Sequence, residues 1–268
     1  MLRSPAVAGK FYAGDRDRLK KQVGQYLTSA GHTTEAVGIM VPHAGLIYSG
    51  SVAGMVYSGI AMPKTFVMLG PNHTGLGAPV SVMDDGEWEV PTGRVRIDRK
   101  LAVKILQNTQ LASRDSQAHA FEHSLEVQLP FITCLSSDIS IVPVAIMSAT
   151  YDDCLKLAEA VVAAIRSVDY PVTILASSDM SHFLSDKAAR HKDQMALDMI
   201  LRLDPKGLYD IVKQKRITMC GVLPATVMII ASMALGAGSA KLLRYMTSGE
   251  VSGDYDSVVG YAGVVLSR

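Results

Sequence analysis

Three apolar runs in this chain of 268 residues finish in a histidine. "AVGIMVPHAG" carries His43, "KTFVMLGPNHTG" carries His73, and "VTILASSDMSH" carries His182 behind three serines and Asp179. A single histidine after a strand is ordinarily a loop residue or a satisfied hydrogen bonder. Three of the seven histidines at equivalent places instead point to one shared site. Imidazole suits two tasks there, ligating a divalent metal through a neutral ring nitrogen and moving protons near neutral pH. Asp179, three residues before His182, shares a face with it if the segment turns helically, and a carboxylate so placed orients an imidazole or raises its pKa. Asp179 fits a helix N-cap equally well.

A second constellation invites different chemistry. "HAFEH", His119 to His123, matches H-x-x-E-H, the inverted zinc-peptidase signature, in which both histidines occupy one helical face and Glu122 acts as base. Such a peptidase would leave His43, His73 and His182 without a role. Alternatively, Glu122, His123 and Glu126 form the solvated face of a helix that the following Leu129-Pro130 ends. A phosphate-binding G-x-x-x-x-G-K-[ST] loop and a G-x-S-x-G nucleophile elbow are both missing from the sequence.

Residues at strand ends need a sheet to hold them, and the hydrophobic pattern supplies one. "DRDRLKKQVGQYL" places Leu19, Val23, Tyr26 and Leu27 on one helical face, and "AVGIMV" follows as a buried strand. "KTFVMLG", "ISIVPVAIM" and "PVTILAS" are further apolar strands, and "WEVPTGRVRI" reads as a hairpin turning at Pro91-Thr92-Gly93. Helices are expected over "KLAVKIL", "EHSLEVQLPF", "YDDCLKLAEAVVAAIRSV" with Leu155, Ala158, Val162 and Ile165 near one face, from about Lys187 to Leu203, after Pro205 and after Cys220. The strands "KLLRYMT" and "SVVGYAGVVL" complete the chain. Continuously apolar strands separated by helices predict an α/β fold: a single domain, 1–268, with a mainly parallel central sheet flanked by helices. Open sheets of this kind bind ligands beyond the carboxyl ends of their strands, where the three histidines fall.

Composition narrows the function classes. With 26 basic against 25 acidic residues, the chain has no electrostatic footprint for nucleic acid or an anionic membrane. Its hydrophobic fraction of 49% is enough for a substantial core. The three cysteines lack C-x-x-C spacing, which argues against a disulfide framework or an all-cysteine zinc site and for a reducing cytoplasm. The N-terminus has no long apolar core of a signal peptide, and Val222 to Gly238 is shorter than the roughly 20 residues of a spanning helix, so it reads as a buried core helix.

The motifs "RSPAVAGKFY", "VPHAG", "LGPNHTG", "EHSLEVQLPF", "SSDMSHF" and "CGVLPA", in that order, resemble the Memo family, also called AmmeMemoRadiSam system protein B. The resemblance covers nearly the whole chain. That family is similar in fold to the class III extradiol dioxygenases of the LigB type, which hold a non-haem Fe(II) between two histidines and a carboxylate and use further histidines as acid and base. The resemblance implies His43 and His73 as metal ligands and His182 and His123 as acid and base, with Asp179 beside His182. Where the dioxygenases place a glutamate late in the chain, the Memo family has a cysteine, here Cys220, as the implied third ligand. Thiolate in place of carboxylate softens the site, favouring Fe(II), with Zn(II) or copper as alternatives, over magnesium or calcium. Cys220 precedes Gly221 and an apolar helix, whose N-terminus is expected to lower the thiol pKa; otherwise it is an inert buried cysteine.

Two functions of different class follow. One is an iron-dependent oxidoreductase acting on a small molecule or peptide in the cleft, and the other is a metal-holding or peptide-binding interaction protein without turnover. The resemblance also implies a radical-SAM protein and an AMMECR-type protein as partners.

Overall fold

The computed structural model describes residues 1–28 and 33–268. The strands are β1 (Leu2–Arg3), β2 (Ala36–Val41), β3 (Thr65–Pro71), β4 (Val80–Val82), β5 (Glu87–Val90), β6 (Gly93–Ile97), β7 (Ser113–Arg114), β8 (Ser140–Ile146), β9 (Val172–Ser177), β10 (His182–Leu184), β11 (Ser239–Thr247) and β12 (Val258–Ser267). Among them run the helices α1 (Arg16–Tyr26), α2 (Leu46–Gly59), α3 (Arg99–Gln107), α4 (Gln117–Ala120), α5 (Leu129–Leu135), α6 (Tyr151–Arg166), α7 (Asp186–Leu201), α8 (Pro205–Gln214), α9 (Val222–Ala234) and α10 (Gly249–Ser252).

The central strands pair in the order β6-β8-β3-β9-β2, all parallel, and β12 adds antiparallel to β2, with β11 beyond it. β2 and β3 are buried at every residue, as expected of strands covered by helices on both faces. Gly38 shows how tightly one layer sits: a Cβ there would stand 2.4 Å from Ser232 Oγ of α9. On the opposite face, a Cβ on Gly263 of β12 would meet Val56 and Val52 of α2 at 2.6 and 3.1 Å. The α/β architecture with a mainly parallel sheet is therefore as the hydrophobic pattern predicts.

The strand order matters most for function. β9 lies between β2 and β3, with Val41 opposite Ser177 and Leu69 opposite Ala176. Pro42-His43, Ser178-Asp179 and Asn72-His73 consequently leave the same sheet edge side by side.

Three local expectations are corrected. "EHSLEVQLPF" is not one helix: a 3₁₀ turn covers Glu126–Gln128, α5 follows, and His123 lies before both. Pro130 does not end a helix but occupies the first turn of α5, where its missing N–H costs nothing. The core-facing side of α6 includes the expected Ala158 and Val162, with Ile165 partly buried against the core, but it is centred on Cys154, Leu157, Ala158 and Val161 and leaves Leu155 out. α9 is the expected core helix, and among the described residues no helix is long and apolar enough to cross a membrane.

Candidate metal centre

His43, His73 and His123 come together above the carboxyl ends of β2 and β3. Their ring centroids are 5.3 Å (His43 to His73), 5.5 Å (His43 to His123) and 4.7 Å (His73 to His123) apart. One ligand atom from each lies within 4.8 Å of the other two.

Each of the three rings has its Nδ1 near an oxygen. His43 Nδ1 is 2.9 Å from Ser177 Oγ, whose hydroxyl proton is committed to the Ser124 carbonyl at 2.6 Å. His73 Nδ1 donates to Glu122 Oε1 at 2.9 Å, and His123 Nδ1 stands 3.3 Å from the same oxygen. A proton held on Nδ1 leaves Nε2 as the lone-pair nitrogen, the form in which imidazole ligates metals, and an acceptor behind the ring raises its basicity. Burial, followed by the neighbouring His123 and His73, pushes the His43 pKa well down, so the ring is neutral. Burial alone would raise Glu122, yet hydrogen bonds from the His73 ring and from backbone N–H groups hold it at about 2. One buried carboxylate thus backs two histidines.

The N-terminal segment walls this site. Phe11 lies against His123 with ring centroids 4.8 Å apart, and its carbonyl accepts the Leu46 N–H at the start of α2. The segment is fastened by Glu126, which accepts from Arg3 at 2.7 Å, Ala6 N at 2.8 Å, Val7 N at 3.0 Å and Tyr12 Oη at 2.5 Å.

The Memo-like protein family model matches residues 3–265. A MEMO1 family protein of Methanobrevibacter smithii is 41% identical over 281 residues, covering 99% of this chain and 100% of that protein. Those of Pyrobaculum arsenaticum and Methanopyrus kandleri are each 39% identical, covering 100% of this chain and 99% and 100% of their own lengths. The chain belongs to the Memo family.

In this Memo-family site the cysteine stands beside the histidines. Cys220 Sγ is 3.3 Å from His43 Nε2 and accepts the Asp179 N–H at 3.3 Å, but falls outside the three-histidine set. The lowered thiol pKa expected from the helix N-terminus is corrected: burial, then the Asp179 carboxylate, pushes it up. The Gly221 N–H at the head of α9 donates to Ser178 Oγ instead of the sulfur.

Asp179 does not cap a helix, and the segment does not turn helically, since His182 opens β10. Its Oδ1 accepts the His43 N–H at 2.8 Å, tying the loops after β2 and β9 together, and burial raises its pKa. His182 stands outside the three-histidine set. Its Nδ1 lies 2.8 Å from the Thr218 carbonyl and its N–H donates to Thr218 Oγ1, which leaves Nε2 as a basic nitrogen.

His119 goes elsewhere. α4 ends at Ala120, so His119 and His123 do not share a helical face. His119 is fully buried, its ring centroid 5.7 Å from that of Trp88 in an edge-on arrangement and its carbonyl held by Arg3. Glu122, the base of the peptidase reading, is occupied by His73. Sequence reasoning missed Ser177, Phe11 and the part played by Glu122 and Glu126. Their only local signal was polarity or aromaticity, and apart from the His123 and Ser124 contacts of Glu122 the partners are more than 30 residues away in sequence.

Proposed function

We propose that this Memo-family chain is a metal-dependent oxidoreductase that holds Fe(II), with Zn(II) or copper as the alternatives, at the carboxyl edge of its sheet. The observation that carries this reading is the convergence of three histidines whose Nδ1 atoms all face oxygens, with a cysteine sulfur 3.3 Å from His43 Nε2. Imidazoles plus a thiol fit a borderline divalent metal and not magnesium or calcium. His43 and His73 are the ligands common to both donor choices, and His123 and Cys220 are the candidates for the third. Bound iron or copper would supply one-electron chemistry and Lewis acidity. The chain's own residues do the rest. Glu122 and Ser177 orient the rings, Phe11 keeps water from one side of His123, Asp179 fixes the His43 backbone, and His182 offers a base through Nε2.

The test is anaerobic loading with Fe(II), followed by measurement of bound metal in wild type, His43→Ala and His119→Ala. Wild type and His119→Ala are expected to retain iron and His43→Ala to lose it. Retention by His43→Ala would overturn the site. Oxygen consumption that depends on neither the bound iron nor His182 would replace the oxidoreductase by a metal-holding interaction protein.

A further inference from the structure

Behind His43 lies a chain of buried polar side chains that ordinarily requires complete pairing: Tyr57 is 1% exposed, and Gln128 and Ser177 are 0% exposed. Tyr57 Oη donates to Gln128 Oε1 at 3.0 Å; Gln128 Nε2 donates to the Pro42 carbonyl at 2.9 Å and to Ser177 Oγ at 3.0 Å. Ser177 Oγ donates to the Ser124 carbonyl at 2.6 Å, and His43 Nδ1 lies 2.9 Å from that same Oγ.

The polarity of this chain has only one solution. Backbone carbonyls accept and cannot donate. The Pro42 carbonyl therefore fixes which end of the Gln128 amide is NH₂, and the second N–H of that group points at Ser177. The Ser124 carbonyl takes the single hydroxyl proton of Ser177. Ser177 Oγ then has lone pairs alone to offer His43, so the proton between them belongs to His43 Nδ1. We infer that Gln128 is a positioning residue that, through Ser177, locks His43 in the Nδ1–H tautomer and so keeps its Nε2 lone pair available beside Cys220. This deepens the metal-site reading above and rests on it for its purpose, though not for its geometry.

The arrangement also differs in kind from the one behind His73 and His123. There a carboxylate sits behind the rings, whereas His43 is backed by a neutral relay anchored on two carbonyls. A neutral backing holds the tautomer without placing a carboxylate behind His43, whose backbone N–H already donates to Asp179.

The experiment uses the metal-free full chain with ¹⁵N-labelled histidine, His43 being assigned by the signal missing from His43→Ala. Ring nitrogen shifts report the tautomer, which a merely structural role for Gln128 would leave alone. In wild type, His43 is expected to be protonated on Nδ1 and bare on Nε2. In Gln128→Met, which keeps the volume and removes both donors, and in Ser177→Ala, which removes the acceptor, the two tautomers should mix. Affinity for Co(II), used as an air-stable probe, should fall about 10- to 100-fold. A wild-type His43 protonated on Nε2 overturns the inference, and needs no variant to fold. So does an unchanged tautomer in a folded Ser177→Ala. Wild type that binds no metal sinks the proposed function instead, and the tautomer measurement still decides the relay.

Discussion

At the scale of single residues, the same side-chain type plays opposite parts here according to what stands behind it. His43, His73 and His123 each have an oxygen at Nδ1, whereas both ring nitrogens of His119 are buried without a hydrogen-bond partner. Burial, then the positive charge of Arg3, lowers the His119 pKa from 6.5 to about 4. The unfolded chain takes up this proton as pH falls through 6.5, while the folded chain takes it only near 4. His119 therefore contributes stability that is fully present above pH 6.5 and lost on the way down to pH 4, amounting to about 3 kcal/mol. His43 and His123, also lowered by burial, act in the same direction. In metal-free protein, His119→Phe should flatten the fall of the urea unfolding free energy between those pH values by roughly that amount. An unchanged pH profile would show that the ring is protonated without cost. None of this was legible in "HAFEH", because the spacing names two histidines and a glutamate but not which side of the chain each ring turns to. His43, His73 and His182 were legible as strand-end residues because apolar strands leave little choice of where their polar ends go.

At the scale of elements, the strands were readable from continuous apolar runs, and the irregular segments were not. The segment from Glu122 to Gln128 looks helical by its spacing, yet His123 stands ahead of the helical turns because tertiary bonds hold it there. Glu122 takes the backbone N–H groups of His73, His123 and Ser124, and Ser124 Oγ donates to the Pro71 carbonyl at 2.8 Å. The N-terminal segment is likewise held by side chains, with the Arg3 guanidinium 4.1 Å from the Trp88 ring and paired with Glu126 at 4% and 0% exposure. Glu126→Gln keeps the shape but turns an NH₂ group toward donors and leaves Arg3 buried without its counter-charge. Breaking a buried pair in this way costs about 3–5 kcal/mol. Urea unfolding should show such a loss, and limited proteolysis should cut within the first dozen or so residues before the body of the protein. A loss below about 1 kcal/mol, with the N-terminus still protected, would mean that the segment is held by its apolar contacts and not by Glu126.

At the scale of the whole molecule, strand order does what no local pattern reveals. Parallel strands require crossovers, and here the crossovers insert β9 between β2 and β3, so that loops more than 100 residues apart in sequence share one edge. The hydrophobic pattern predicted the parallel sheet but not this order, since buried strands of similar composition are interchangeable to a pattern. The consequence is a site whose candidate donors come from several cooperative parts of the fold: the loop after β2, the loop after β3 and the segment before α5, with Cys220 at the head of α9 beside them. Such a site exists only in the folded chain, so metal binding must stabilise the whole molecule. Fe(II) under anaerobic conditions at a hundredfold excess over its Kd adds about 2.7 kcal/mol, a rise in Tm of roughly 5–10 °C at about 2–4 °C per kcal/mol. Because protons compete for the imidazole nitrogens and the thiol, the rise should shrink on acidification. His43→Ala should show little of it at any pH. An equal rise in His43→Ala would place the metal elsewhere, with Cys134 or Cys154 the first residues to examine by substitution, and would separate the fold's convergence of histidines from the metal chemistry proposed for it.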